Sequence, residues 1–180
     1  MSTFSNPVGE SGAAADAYVA NLLKLVGDRD PLEVLEELPQ ALRELTAGLD
    51  DAALRKPEKP GKWSVIEVVQ HLADGEMITG YRLRMILTHD EPEIQAYDQD
   101  LWARELRYNE AGLDEALEAI RVLRAANLRL ARGQEARLDR FGMHSERGKE
   151  SARRMIRMLA GHDLVHRRQI QRIRLGMGQG

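Results

Sequence analysis

The sequence predicts an all-α protein: an up-and-down four-helix bundle with an additional short helix. Three observations point there. Aromatic residues are only 4% of the 180 positions, and the common residues are Leu, Ala, Arg and Glu, which favour helix. Apolar residues recur at three- and four-residue spacing through the long stretches of the chain, the period of one helix face. Capping residues and Gly/Pro clusters bracket most of those stretches.

The length fits one domain over residues 13–176, preceded by a polar tail at 1–12 that lacks the apolar core of a signal peptide. No segment is long and apolar enough to span a bilayer. A hydrophobic content of 43% with 31% charged residues suits a soluble globular chain. The formal net charge of -3 gives no reason to expect nucleic acid or an anionic membrane as the main partner. There is no cysteine, so disulfides, thiolate ligands and a cysteine nucleophile are excluded. A reducing, cytoplasmic location fits.

In order along the chain, Ala13 to Val26 reads as a helix with Ala14, Tyr18, Leu22 and Leu25 inward and Gly27 as its stop. Asp30 and Pro31 stand as N-cap and N1 of a second helical stretch. Its leucines (Leu35, Leu38, Leu42, Leu45, Leu49) keep helical spacing across Pro39, where a kink or break is expected. Residues 49–62 read as a loop. Ser64-Val-Ile-Glu67 is a capping box, with Trp63 and Val68 placed as a hydrophobic staple, and opens a helix to about Thr88. Residues 89–111 read as a long connection with a short helix near 98–108; connections of that length are often functional. Gly112 to Arg132 is an amphipathic helix with Leu113, Leu117, Ile120, Leu123, Asn127 and Leu130 inward. Residues 133–148 read as a second loop, and a last helix runs from about Lys149 to Leu175. Its arginine-rich end reads as a solvated cap.

The last helix carries His162 and His166 on the stripe of Met155, Leu159, Ile170 and Ile173. Side chains four apart on a helix lie one above the other, within reach of one metal ion. The plainer alternative is two hydrogen-bonded core histidines, each needing its own buried partner. His71 faces inward about two turns into the capped helix. Asn127 is the anomaly on its stripe: it either ties helices together or faces a polar cavity. Asp74, three residues after His71, and Asp163, beside His162, are candidates to orient the imidazoles; for Asp163 a surface pairing with Arg167 is the competing reading. His144 either covers the mouth of a pocket or is an ordinary loop histidine, and His89 reads as surface. Tyr97, Asp98, Asp100 and Trp102 either line an opening or simply form a compact loop, which is all that their spacing shows. His162-Asp-Leu-Val-His166 echoes the zinc-protease helix only poorly, since Asp replaces the Glu that would act as base.

Two stretches carry a resemblance. Lys59-Pro-Gly-Lys-Trp63-Ser-Val-Ile-Glu67-Val-Val-Gln-His71-Leu-Ala-Asp74 resembles the opening motif of the DinB/YfiT-like family, and Ala160-Gly-His162-Asp163-Leu-Val-His166 its closing motif. This helical family is distinct from the DNA polymerase that shares the name. The resemblance implies a four-helix bundle, often dimeric, with one divalent ion (Ni, Zn, Fe or Mn) held by His71, His162 and His166. It further implies chemistry through a low-molecular-weight thiol, as in bacillithiol S-transferases and mycothiol-dependent isomerases, or metal-dependent hydrolysis of a small substrate. A metal-binding stress-response module without activity is the third expectation. Three imidazoles leave positions open for water or substrate, and nitrogen-only ligation disfavours calcium and magnesium. The expected partners are a small-molecule substrate and a second copy of the chain. Asp74, Asn127 and His144 are the further candidates for catalytic support.

Overall fold

The computed structural model describes residues 13–177, and side chains from 16 to 176; the expected tail at 1–12 and the side chain of Ala14 lie outside the described residues. Among the described residues there are seven α-helices: α1 (Ala13–Val26), α2 (Pro31–Thr46), α3 (Asp51–Arg55), α4 (Val65–Thr88), α5 (Gln99–Glu105), α6 (Leu113–Gly133) and α7 (Ala152–Met177). Three short strands accompany them: β1 (Glu93–Ile94), β2 (Phe141–His144) and β3 (Gly148–Ser151). β1 pairs parallel to β2 with Ile94 opposite His144, and β2 pairs antiparallel to β3 with Phe141 opposite Ser151.

The four-helix bundle is formed by α2, α4, α6 and α7, whose contacts close a ring in the order α4, α6, α2, α7. Two apolar clusters show the direction of each helix. One joins the start of α2 (Leu35) and of α7 (Ile156) to the ends of α4 (Ile86) and α6 (Leu128). The other joins the later half of α2 (Leu42) and α7 (Ile170) to the starts of α4 (Val69) and α6 (Ile120). The chain therefore runs up, down, down, up, with α2 parallel to α7 and α4 parallel to α6. A simple alternation would place successive helices side by side; here α2 and α4 sit diagonally, as do α6 and α7. Two parallel neighbours in sequence require a connection that returns along the whole bundle. Residues 89–112 do this. They begin at β1, where Gly142 is packed against Pro92 and Ile86, and end where Arg55 donates to the carbonyls of Asn109 and Ala111.

The start signals act as read. The Asp30 carboxylate accepts from Leu32 N at 2.8 Å. Ser64 N donates to Glu67 Oε2 at 2.7 Å while Glu67 N donates to Ser64 Oγ at 3.4 Å, closing the capping box. Gly27 takes a φ of +60° at the end of α1, the left-handed stop that glycine adopts without strain.

Several elements differ from the sequence reading. α1 buries Val19, Leu22 and Val26, with Tyr18 and Leu25 half-buried. Residues 49–62 contain α3, capped by Asp50, whose carboxylate accepts from Ala53 N at 2.8 Å. Residues 133–148 contain a 3₁₀ turn at Glu135–Arg137 and half of a hairpin. Its second strand occupies 148–151, so α7 starts at Ala152 and not near Lys149. α6 turns Arg124 inward, while Leu123 and Leu130 are only half-buried.

Pro39 does not break α2, which continues to Thr46. A proline has no N–H for the carbonyl four residues back, here that of Leu35. That carbonyl instead accepts from Arg124 Nη1 at 2.5 Å, so the bond lost inside the helix is replaced from α6.

α1 lies outside the ring against α7. The approach is closest at Gly161, where an added Cβ would sit 2.4 Å from the Leu22 carbonyl oxygen and 2.7 Å from its carbon. Backbone cannot swing away as a side chain can. Gly161→Ala is therefore expected to destabilise the protein by about 1–3 kcal/mol, the cost of an overpacked contact, measured as a lower urea midpoint. An unchanged midpoint would mean that α1 is not held against α7.

Candidate metal centre

Three imidazoles meet between α4 and α7. His71 Nε2 lies 2.9 Å from His162 Nε2, which lies 3.1 Å from His166 Nε2. One nitrogen from each ring falls within 4.8 Å of the others. Tetrahedral ligands at about 2.0–2.1 Å from a metal stand roughly 3.3 Å apart, close to the two separations that His162 Nε2 makes with its neighbours.

The local chain explains this convergence. The capping box fixes the start of α4, and His71 follows at the seventh helical position. Trp63, just before the cap, packs its ring 4.9 Å from His71 and stacks at 6.5 Å on His166. His162 and His166 are one turn apart on α7, with ring centroids 4.3 Å from each other. His166 Nδ1–H donates to Gln169 Oε1 at 2.8 Å, which leaves its Nε2 lone pair facing the centre. This role for Gln169 is readable only from the i, i+3 spacing.

Burial holds the three rings neutral. It lowers His71 and His162 well below the ordinary imidazole value, reinforced by the neighbouring rings, and takes His166 to about 4. Neutral imidazole is the form that ligates a metal. His71 Nδ1 and His162 Nδ1 are buried without a hydrogen-bond partner among the described residues.

The carboxylates expected to orient those rings are engaged elsewhere. Asp74 accepts from the Tyr108 hydroxyl and from Gln70 Nε2. Asp163 is fully buried, not a surface partner of Arg167, and accepts from Arg124 Nη1 at 2.7 Å. Arg124, 2% exposed, also donates to Glu76 through Nε at 2.9 Å and through Nη2. Burial alone would lower its pKa; Asp163 and Glu76 outweigh that and hold it above its ordinary value. Asn127 joins the same group, donating to the Glu76 carbonyl at 3.0 Å and to its carboxylate at 3.1 Å. It thus ties α6 to α4 and does not face a polar cavity. The group lies between the two apolar clusters and bolts together all four bundle helices. Sequence reading missed Arg124 because arginine is rarely buried, although it falls three residues before Asn127 on the inner face.

His144 is buried in β2 with Nδ1 accepting from Glu146 N at 3.2 Å, and burial lowers its pKa to about 4. It belongs to the hairpin and not to the histidine cluster. His89 is the exposed C-cap of α4. Tyr97 and Trp102 pack on each other at 4.6 Å, and Asp98 caps α5.

Two chambers adjoin the triad. One of about 300 Å³ opens beside His166, with Trp63, Lys62, Asp100, Val165 and Arg168 in its walls. The other, about 100 Å³, opens beside His162. Tyr18 and Gln99 line both and so stand at the boundary.

The neutral rings set a pH dependence. Below about pH 6.5 the imidazoles of the unfolded chain take up protons, while His71, His162, His166 and His144 in the folded chain resist them. The unfolded state then binds more protons, so stability falls as the pH drops from about 6.5 to 4. Asp163, raised by burial, acts in the opposite sense, one group against four. The melting temperature of metal-free protein is expected to drop across that window; a flat profile would mean that the rings are not held neutral.

The model of the DinB superfamily matches residues 34–170. A metal-dependent hydrolase homologue from Oceanobacillus iheyensis, OB0782, carrying the qualifier "putative" in its name, is 30% identical over 161 residues, 89% of this chain and 90% of that protein. A similarly named protein from Geobacillus thermodenitrificans is 41% identical over 73 residues, and YfiT of Bacillus subtilis 38% over 72. Those two alignments span 41% and 40% of the relatives' own length. The solved structure of B. subtilis YfiT, described as a probable metal-dependent hydrolase with an unusual four-helix bundle topology, superposes with a TM-score of 0.77. Its identity is 26%, over 82% of this chain and 86% of that one. Matched over most of its length, and sharing the bundle of a solved relative, the chain belongs to the DinB superfamily.

Proposed function

We propose that His71, His162 and His166 hold one divalent ion, and that the protein is an enzyme transferring a low-molecular-weight thiol to a small electrophile. The observation that carries the metal reading is the convergence of one ring nitrogen from each of the three histidines within 4.8 Å. Transfer is favoured over simple hydrolysis by the two chambers, one for each of two organic reactants. A divalent ion at such a site lowers the pKa of a bound thiol or water, supplying a nucleophile near neutral pH.

The protein's own groups do the rest. Gln169 fixes the tautomer of His166. Trp63 walls the larger chamber and limits water there. Tyr18, at the boundary, offers a phenol that burial keeps protonated, a hydrogen-bond donor where the two reactants meet. The exposed side chains Met77 and Tyr81 of α4 and Val122 of α6 are the surface on which a homodimer would form. Among the described residues no helix is long and apolar enough to cross a membrane.

Hydrolysis by activated water is the second reading, favoured by the names of the relatives. Metal-loaded protein incubated with a model electrophile, with and without a small thiol, separates the two. Thiol-dependent loss of electrophile supports transfer. Thiol-independent turnover overturns it in favour of hydrolysis, and no turnover with either overturns both.

A further inference from the structure

The smaller chamber carries a charge that the metal reading does not use. Arg82 of α4 and Arg147 of the hairpin turn both line it, together with Tyr18 and Tyr97. Arg147 is engaged by Glu150, with contacts of 3.1 and 2.8 Å. Arg82 donates to the Gln95 carbonyl and, among the described residues, closes on no carboxylate. Burial and then the neighbouring Arg147 push its pKa down; Glu150 and Glu146 each act on it more weakly than Arg147 does. Two guanidiniums thus line one half-enclosed space; Glu150 is committed to Arg147, and Glu150 and Glu146 offset only part of the charge on Arg82. A partly desolvated cation in that position gains from a counter-charge. Tyr18 and Tyr97 stay protonated through burial, so each presents a donor and neither competes as an anion.

We propose that this chamber is an oxyanion subsite, taking a carboxylate of the substrate between Arg82 and Arg147. The Tyr18 and Tyr97 hydroxyls donate to the same group, and the remainder of the molecule passes His162 toward the triad. A guanidinium presents two parallel N–H groups that match the two oxygens of a carboxylate. A volume of about 100 Å³ is that of roughly three water molecules, enough for a carboxylate with one or two carbons and too small for a nucleotide. The path toward the triad rests on the metal-centre reading; the anion site does not.

Acetate titrated into the metal-free full chain, exchanged against chloride at constant ionic strength, tests it through the melting temperature. A saturable rise is expected in the wild type. Arg82→Gln should weaken the apparent acetate affinity at least ten-fold, while the exposed control Arg121→Gln leaves it unchanged. Should Arg82→Gln not fold, Arg82→Lys, which keeps the charge but not the fork, and Tyr97→Phe carry the test, each with an expected loss of three-fold or more. No saturable rise in the wild type, or the same rise in the Arg82 variants, overturns the subsite. Because no metal is present, that failure leaves the metal reading standing, and retention of metal by His71→Ala would leave this one standing.

Discussion

His71→Ala is expected to reduce bound divalent metal from about one equivalent per chain to a small residue, with affinity weakened more than about 100-fold. Disturbing a group that merely orients a ligand already costs 10–100-fold, and here a ligand itself is removed. The two remaining imidazoles stand one turn apart on α7 and can still chelate, but weakly. His71 is the only nitrogen of the cluster contributed by α4, so its loss also releases the link between the two helices. Metal analysis of protein purified without an affinity tag reads the result. His89→Ala, at an exposed position, and His144→Gln, in the hairpin, should keep full stoichiometry. Full stoichiometry in His71→Ala would mean that the three rings do not share an ion.

Arg124→Leu carries the largest expected loss of stability. It removes a guanidinium that touches Glu76, Asp163 and the Leu35 carbonyl, all shielded from water. Asp163 and the Leu35 carbonyl are then left without that donor, and Glu76 keeps only Asn127. Breaking a buried ion pair from one side typically costs about 3–5 kcal/mol, and a shared arginine belongs at the upper end. Urea unfolding measures it. Adding Glu76→Gln and Asp163→Asn to Arg124→Leu should recover part of the loss, because neutral amides no longer demand a counter-charge. A loss below 1 kcal/mol in the single variant would show that the carboxyl groups find water or protonate at little cost.

Much of the bundle was legible in the sequence. The capping box at Ser64, the Asp30-Pro31 start and the Gly27 stop are local devices whose physics acts within one turn, so they read directly. Of the histidine cluster, the pair on α7 was legible because its members share one helix face, and the inward position of His71 because its cap sets the helix register; that His71 joins the pair was implied by the family resemblance. Three features were hidden. The hairpin at 141–151 rests on pairing with β1 nearly fifty residues away, and its single turn of alternation is too short to show a period. The order of helix directions depends on which apolar faces meet, and every helix of the bundle has a suitable face. Arg124 was hidden because its partners, Glu76 and Asp163, come from other helices; taken alone, each looks like a solvated charge. Both expectations for Asp163, orienting an imidazole and pairing with Arg167 at the surface, missed Arg124 for that reason.

The bond from Arg124 to the Leu35 carbonyl links positions far apart in the chain. Restoring an amide hydrogen at residue 39 would let α2 compete for that acceptor and weaken one of the guanidinium's three attachments. Pro39 and Arg124 are therefore expected to be epistatic: a replacement tolerated at either one depends on what occupies the other. An imino acid usually judged by the helix it interrupts acts in this chain as half of a long-range pair, and mutational drift at the two positions is constrained jointly.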